Sequence, residues 1–478
     1  MKKKLAITFL AFMTIMFSIS FRQASKPDFV PGEVLVKFRT GYTEATATSV
    51  LSQVGAKRVQ TFPRINVWQL KLNVDLDVAE AVNKLNALSS VEYAEPNYIY
   101  HTCAVPNDQY LPLQWGIHNT GQTDGVADAD IDAPEAWDVQ TGNSSVLIGI
   151  IDTGVNYKHE DLQNNIWINP GEDAWTNPDN PQTGNGVDDD GNGKVDDWKG
   201  WNFITNTNEP MDDAGHGTHC AGIIGAEGNN NIGIAGVNWQ TQIVPLKFLN
   251  ADGEGNSANA VEAIFYAIDM GVDILSNSWG SYEESLTLRD AIAAADNAGI
   301  LFVAAAGNDG INTDEYPNYP SCHDVPNVVS VAASDDEDKR SIWGSGGGGG
   351  GGSDCGSCGF IMYRKPMPLV WEKDPRTYAT AGSNYGAISV DLAAPGTEIY
   401  STYLTSYRSL SGTSMATPYV AGVAGLLKAQ NSSLTHLEIK QMLLENTNFL
   451  ADFDGRSVSE GRVNAFSALS AGAMLVSQ

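Results

Sequence analysis

The chain has 478 residues, 42% of them hydrophobic, with 28 Lys plus Arg against 57 Asp plus Glu and a formal net charge of -29. That length allows a large core plus accessory segments. The acidic balance excludes the basic footprint that nucleic-acid binding needs, and it suits a protein that holds cations such as calcium.

Lys2, Lys3 and Lys4 precede an apolar stretch over 5–19, and the small residues Ala24 and Ser25 follow. Residues 1–25 therefore read as a cleaved export signal, the run being short for a membrane-spanning helix. No later segment is long and apolar enough to cross a bilayer, so we expect a secreted product without stable membrane association. Residues 26–105 read as a small α+β unit. Strand alternation over 33–38, 67–72 and 91–100 brackets helical periodicity over 43–56 and 77–88, which predicts one sheet with helices on one face.

From 106 to 478 short apolar runs alternate with helical segments. Residues 146–151, 242–248, 272–276, 300–304 and 328–331 are near-continuously apolar, as in a parallel sheet covered on both faces. Helices are predicted after His216 and over 258–270, 285–298 and 414–429. The fold class is α/β, a doubly wound mostly parallel sheet. The segment 345–382 breaks this pattern. It begins with seven consecutive glycines from Gly346 to Gly352 and shows no periodicity. It reads as a surface insertion, an engineered graft or a sequence error, and in each case as a passenger.

Three motifs carry chemistry. Ile151-Asp152-Thr153-Gly154 ends a predicted strand, Gly215-His216-Gly217-Thr218-His219 opens a helix, and Gly412-Thr413-Ser414-Met415-Ala416 opens another. A serine hydroxyl needs a base to take its proton, an imidazole can take that proton and return it to the leaving amine, and a carboxylate fixes the imidazole tautomer. These needs assign Ser414 as nucleophile, His216 as general base and acid, and Asp152 as orienter. Ala305-Ala306-Gly307-Asn308 follows a strand, and the Asn308 amide is placed to donate to an oxyanion beside the Ser414 N–H.

A fourth stretch, 188–197, spaces oxygen-bearing side chains as a calcium loop does. Asp188, Asp190, Asn192 and Asp197 are its candidate ligands, although Lys199 stands where an EF-hand has its acidic twelfth residue. The five cysteines leave at least one thiol unpaired within the chain. Cys355 and Cys358 form a C-x-x-C without the further ligands of a zinc site.

The order Asp, His, Asn, Ser and the motifs around these residues resemble the subtilisin-like serine proteases from about 108 to 471, apart from the insertion. The resemblance implies a seven-stranded, mostly parallel sheet and endopeptidase activity on protein and peptide substrates through an acyl-enzyme. It implies that 26–105 is a ferredoxin-like inhibitory propeptide and that the enzyme acts as a monomer. Substrate would pair with Ser276, Ser278, Trp279 and Gly280, facing 253–255. Ala305, Ala306 and Gly307 would line an open, fairly apolar P1 pocket. Asp161 would serve a second calcium site with Asn229 or Asn230, and Cys220 would be a buried thiol near the triad. Two rivals remain: a calcium-stabilised binding protein, which ought to lack a triad member, and an esterase, against which the propeptide and Asn308 argue.

Overall fold

The computed structural model describes residues 29–39, 41, 43–73, 76–98, 105–172, 184–343 and 380–475. The expected export signal, most of the insertion, and Cys103, Cys355 and Cys358 lie outside the described residues. The chain divides into two units, 1–102 and 103–478.

In the first unit the elements run β1 (Phe29–Phe38), α1 (Glu44–Gln53), β2 (Ala56–Phe62), β3 (Val67–Leu72), α2 (Val78–Asn86) and β4 (Val91–Tyr98). The strands form an antiparallel sheet in the order β2-β3-β1-β4. This is the split βαβ arrangement expected of a ferredoxin-like unit, with one strand more than the sequence pattern predicts. The extra strand, β2, has mostly exposed residues, so it lacks the apolar alternation that marks a strand. Val34, Val36, Leu70 and Leu85 are fully buried in the core. Asp77 caps α2 by accepting from Ala79 N at 2.9 Å and Glu80 N at 3.2 Å.

The second unit continues with α3 (Ala133–Trp137), β5 (Gly142–Asp152), β6 (Trp201–Asn202), α4 (His216–Gly225), β7 (Gln240–Lys247), α5 (Ser257–Asp269), β8 (Ile274–Asn277), α6 (Leu286–Asn297), β9 (Leu301–Ala305) and β10 (Val328–Ser334). It ends with β11 (Leu392–Pro395), β12 (Ile399–Tyr403), β13 (Ser406–Leu410), α7 (Thr413–Gln430), α8 (His436–Glu445), β14 (Thr447–Phe449), β15 (Gly461–Val463) and α9 (Ala465–Leu475). The main sheet has nine strands, in the order β14-β15-β11-β10-β9-β8-β5-β7-β6, not seven. The additions are short edge pieces, and only β14 with β15 is antiparallel.

β5 lies between β7 and β8. The chain builds β6 and β7 on one side of β5, then crosses to lay β8, β9, β10 and β11 on the other. Asp152 therefore ends the strand at which the order reverses, where crevices open in doubly wound sheets. Side chains alternate across the sheet. Ile148 and Ile150 pack with residues of α4 and α7, whereas Ile151 packs with those of α5 and α6. Asn256 and Ser285 cap α5 and α6, and Thr435 with Glu438 forms a capping box on α8.

Candidate active site

Each motif sits at an element end. Asp152 closes β5, His216 opens α4 and Ser414 is the second residue of α7. The approach of α4 to β5 requires a glycine at 217. A Cβ there would lie 2.1 Å from Gly154 O and 3.1 Å from Asp152 Cβ. Asp152 is fully buried, and its Oδ1 meets His216 Nδ1 at 2.7 Å and accepts Thr153 N at 2.7 Å. Burial disfavours charge on the His216 ring. The Asp152 carboxylate outweighs it, by charge and by hydrogen bond, with a further contribution from Asp212, and holds the ring above the usual imidazole pKa.

Ser414 is half-buried, and its Oγ donates to Ser278 O at 3.2 Å. Pro418 stands four residues on, so it offers no N–H to the Ser414 carbonyl. Ser278 Oγ at 2.9 Å and Cys220 Sγ at 3.5 Å bond that carbonyl instead. The serine is thereby tied to the end of β8 and to the histidine's own helix. Cys220 is fully buried, and burial pushes its thiol pKa well up, so it serves as a protonated donor. The carboxylate, ring and thiol atoms of Asp152, His216 and Cys220 lie within 4.8 Å of one another.

Asn308 is fixed from one side. Its Oδ1 accepts Thr413 N at 2.9 Å and Thr413 Oγ1 at 3.0 Å, which leaves Nδ2 as the free end of the amide. Asn308 Nδ2 and Ser414 N lie equally far, 3.6 Å, from the position a Cβ on Gly412 would take. Asn308 Oδ1 lies 3.7 Å from the same position, so the amide end and the Ser414 N–H come together beside Gly412. The loop is braced by Asn384, whose Oδ1 accepts Asp309 N and Ile311 N, each at 3.1 Å, while its Nδ2 donates to Ala306 O at 2.9 Å.

The expected substrate-facing residues divide. Ser276 is interior to β8, paired with Ile150 and Val303 and 1% exposed, so it has no free edge for a peptide. Ser278, Trp279 and Gly280 run beyond the strand, and Trp279 packs on Phe248 at 4.8 Å. Ala305 and Ala306 are buried. The Ala306 side chain packs with Val390, Leu450 and Phe453, so only main chain remains to a pocket there. Gly307 and Gly280 both face Asn318, a polar residue the sequence reading missed. A polar group on that wall changes the apolar pocket expected from the alanines.

The 188–197 loop closes on a residue outside it. Glu172 is 4% exposed, and its carboxylate groups with those of Asp188 and Asp190 within 4.8 Å. Burial, then the charges of Asp197 and Asp190, push Glu172 up to about 7. Asp197 is fully buried, and Asn169 Nδ2 and Asn192 Nδ2 bridge it to Asp190 at 2.9 to 3.0 Å. Asp188 instead accepts the loop's own N–H groups from Gly191, Asn192 and Gly193. The oxygen donors are hard, and their crowded charge fits calcium.

Asp161 is fully buried and is met by Asn230 Nδ2 at 3.1 Å and Ile234 N at 2.8 Å. Asn229 is exposed, at φ 60°, and presents only its N–H, to Asp108 at 2.7 Å. Asn230 is thus the asparagine whose side chain faces Asp161, and Asp108 joins the cluster from outside the predicted set. Burial first, with the neighbouring Asp108 charge, pushes Asp161 up to about 7. The two carboxylates, Asp108 and Asp161, suit a hard cation, whereas Asn230 turns Nδ2 toward Asp161 and its Oδ1 accepts Ile232 N at 2.7 Å.

Comparison with known proteins agrees with the fold and its two units. Residues 143–466 match the model of the subtilase family, and residues 18–97 match the fervidolysin N-terminal prodomain. The chain is 33% identical over 446 residues to the thermophilic serine proteinase of Bacillus sp. (strain AK1), covering 93% of this chain and 88% of that protein. It is 36% identical over 366 residues to thermitase of Thermoactinomyces vulgaris, covering 76% and 99%. Among solved structures, a protease of Pseudoalteromonas arctica superposes with a TM-score of 0.54 at 27% identity, covering 77% of this chain and 100% of that one. The chain belongs to the subtilase family. It is a serine endopeptidase that carries an N-terminal prodomain.

Proposed function

We propose that the protein is a secreted endopeptidase whose peptide-bond hydrolysis runs through Ser414, His216, Asp152 and Asn308. The observation that carries this reading is the 2.7 Å contact of His216 Nδ1 with Asp152 Oδ1 at the carboxyl edge of the sheet. Beside it stand the half-buried Ser414 and an Asn308 amide locked by Thr413. In the first step Ser414 Oγ leaves Ser278 O, passes its proton to His216 and attacks the substrate carbonyl carbon. The oxyanion forms between Asn308 Nδ2 and Ser414 N. His216 then returns the proton to the leaving amine, the C–N bond breaks, and an acyl-enzyme remains. Water repeats the sequence and releases the acid. Asp152 stays ionised throughout and stabilises the imidazolium.

An extended substrate pairs with the main chain of Ser278, Trp279 and Gly280. Residues 1–25 act as export signal, 26–105 as inhibitory propeptide and 106–478 as the catalytic domain. Calcium would be held by the carboxylates of Glu172, Asp188, Asp190 and Asp197, where Asn192, expected as a ligand, instead donates Nδ2 to Asp190 and Asp197, and by those of Asp108 and Asp161 beside Asn230. It would stabilise loops and take no part in the chemistry. Casein hydrolysis by the wild-type protein and by Ser414→Ala tests the reading: activity is expected to vanish in the variant, and retained activity overturns the assignment. Among the described residues no helix is long and apolar enough to cross a membrane.

A further inference from the structure

Asp212 precedes the His216 helix and belongs to none of the motifs above. Its residue is 6% exposed, yet its carboxylate accepts five hydrogen bonds. Oδ1 takes Thr153 Oγ1 at 2.8 Å, Ala214 N at 2.9 Å and Gly215 N at 2.9 Å. Oδ2 takes Thr218 N at 2.9 Å and Thr218 Oγ1 at 2.6 Å. These donors come from two distant stretches. Thr153 directly follows Asp152, whereas Ala214, Gly215 and Thr218 surround His216. The Thr153 hydroxyl in turn accepts Gly217 N at 2.9 Å, so a relay runs from α4 through Thr153 to Asp212 and back to α4. On its other side the Thr153 carbonyl accepts Lys247 Nζ at 2.6 Å, and that buried ammonium pairs with Asp213 Oδ1 at 2.6 Å. The adjacent Asp212 and Asp213 therefore grip Thr153 from both faces.

We propose that Asp212 is a positioning residue for the reaction, a clamp that sets the spacing of Asp152 and His216 by binding the neighbours of both. The proposal rests on the triad reading. An ordinary helix cap accounts for the bonds from Ala214, Gly215 and Thr218 but not for the one from Thr153. All five partners are donors, so an acceptor-only carboxylate fits and an amide does not. The groups that face His216 are Asp152, Asp212, His219 and Cys220. His219 is held neutral, by burial first, and Cys220 is protonated, so the two aspartates supply the anionic field on the ring.

The test compares kcat, KM and the pH dependence of kcat/KM on a peptide anilide for wild type, Asp212→Asn and Thr153→Val, with melting temperatures. Asp212→Asn is expected to lower kcat by about 10- to 100-fold, since small misplacements of reacting groups cost that much. KM should stay within about twofold, and the acid limb should move to lower pH because an anion near His216 is lost. Thr153→Val keeps the charge but cuts the bridge, so kcat should fall while the acid limb stays in place. If Asp212→Asn does not accumulate, Thr153→Val decides: wild-type kcat in that variant overturns the clamp. Unchanged kcat and acid limb in Asp212→Asn also overturn it, as does a loss that tracks only the unfolded fraction. Activity surviving Ser414→Ala is a separate result and strikes the triad reading instead.

Discussion

At the scale of single residues, the proposed mechanism draws its rate from two fixed donors and one tuned base. Asn308 is held by its oxygen, so in the proposed mechanism its amide nitrogen would meet a developing oxyanion without reorganising. Asn308→Ala is expected to lower kcat by about 10²–10³, a magnitude measured on subtilisin itself, with KM nearly unchanged. Steady-state kinetics on a peptide anilide checks this, and a loss confined to KM contradicts it. His216 accepts a proton only when neutral, and its pKa is raised. Activity is therefore present above that pKa and lost as pH falls through it. The acid limb of kcat/KM is expected above the ordinary imidazole value of about 6.5. A limb at or below that value contradicts the pairing with Asp152.

Among the elements, the helix that carries His216 is set by close contact rather than by propensity. Gly217 allows α4 to touch the Gly154 carbonyl, and any Cβ there forces the backbone to move. Gly217→Ala is expected to destabilise the protein by about 1–3 kcal/mol and to reduce activity beyond the loss of folded material. Thermal melting with titration of active sites separates the two effects.

The neck of the insertion can be tested in the same way. Trp343 N donates to Ala381 O at 2.8 Å, Ile342 bridges Gly382, and Gly382 N donates to Asn308 O at 3.2 Å. The expected insertion boundary at 382 is thus too late, because Ala381 and Gly382 belong to the scaffold of the oxyanion loop. Deleting 346–379 should preserve kcat. Extending the deletion through Gly382 should lower it.

This contrast shows what a sequence discloses. Buried parallel strands such as β9 and β10 are legible because every residue in them is apolar or small and fully covered. β2, whose residues are largely exposed, and β14, with none buried, carry no such pattern. The residues of the proposed triad stood out because each sits in its own dense motif. Glu172, Asp108 and Asn318 did not, because their partners lie far along the chain and no signature flanks them; Asp212 stands just before the His216 motif, but its bond from Thr153 spans 59 residues. Ser276 misled for the converse reason: Ser278, Trp279 and Gly280 run beyond the strand, but Ser276 itself is locked between two strands.

For the molecule as a whole, a net charge of -29 is concentrated in part around two sets of crowded carboxylates, one about the buried Glu172 and Asp197 with the more exposed Asp188 and Asp190, the other about the buried Asp108 and Asp161. A divalent cation removes their mutual repulsion and favours the folded state by mass action. EDTA is expected to lower the melting temperature by about 3–7 °C, the equivalent of roughly 2.7 kcal/mol for each of one or two sites filled at a hundred times its Kd. Glu172→Gln should lose part of that increment. A melting temperature indifferent to chelation contradicts both calcium sites.

The most direct test of the account is covalent. A phosphonate that mimics the tetrahedral intermediate should add once per molecule, and peptide mapping by mass spectrometry should place it on the segment carrying Ser414, with activity lost in proportion. Asp152→Asn should slow that labelling by orders of magnitude without moving it. An adduct on any other serine, or full activity after complete labelling of Ser414, contradicts the mechanism.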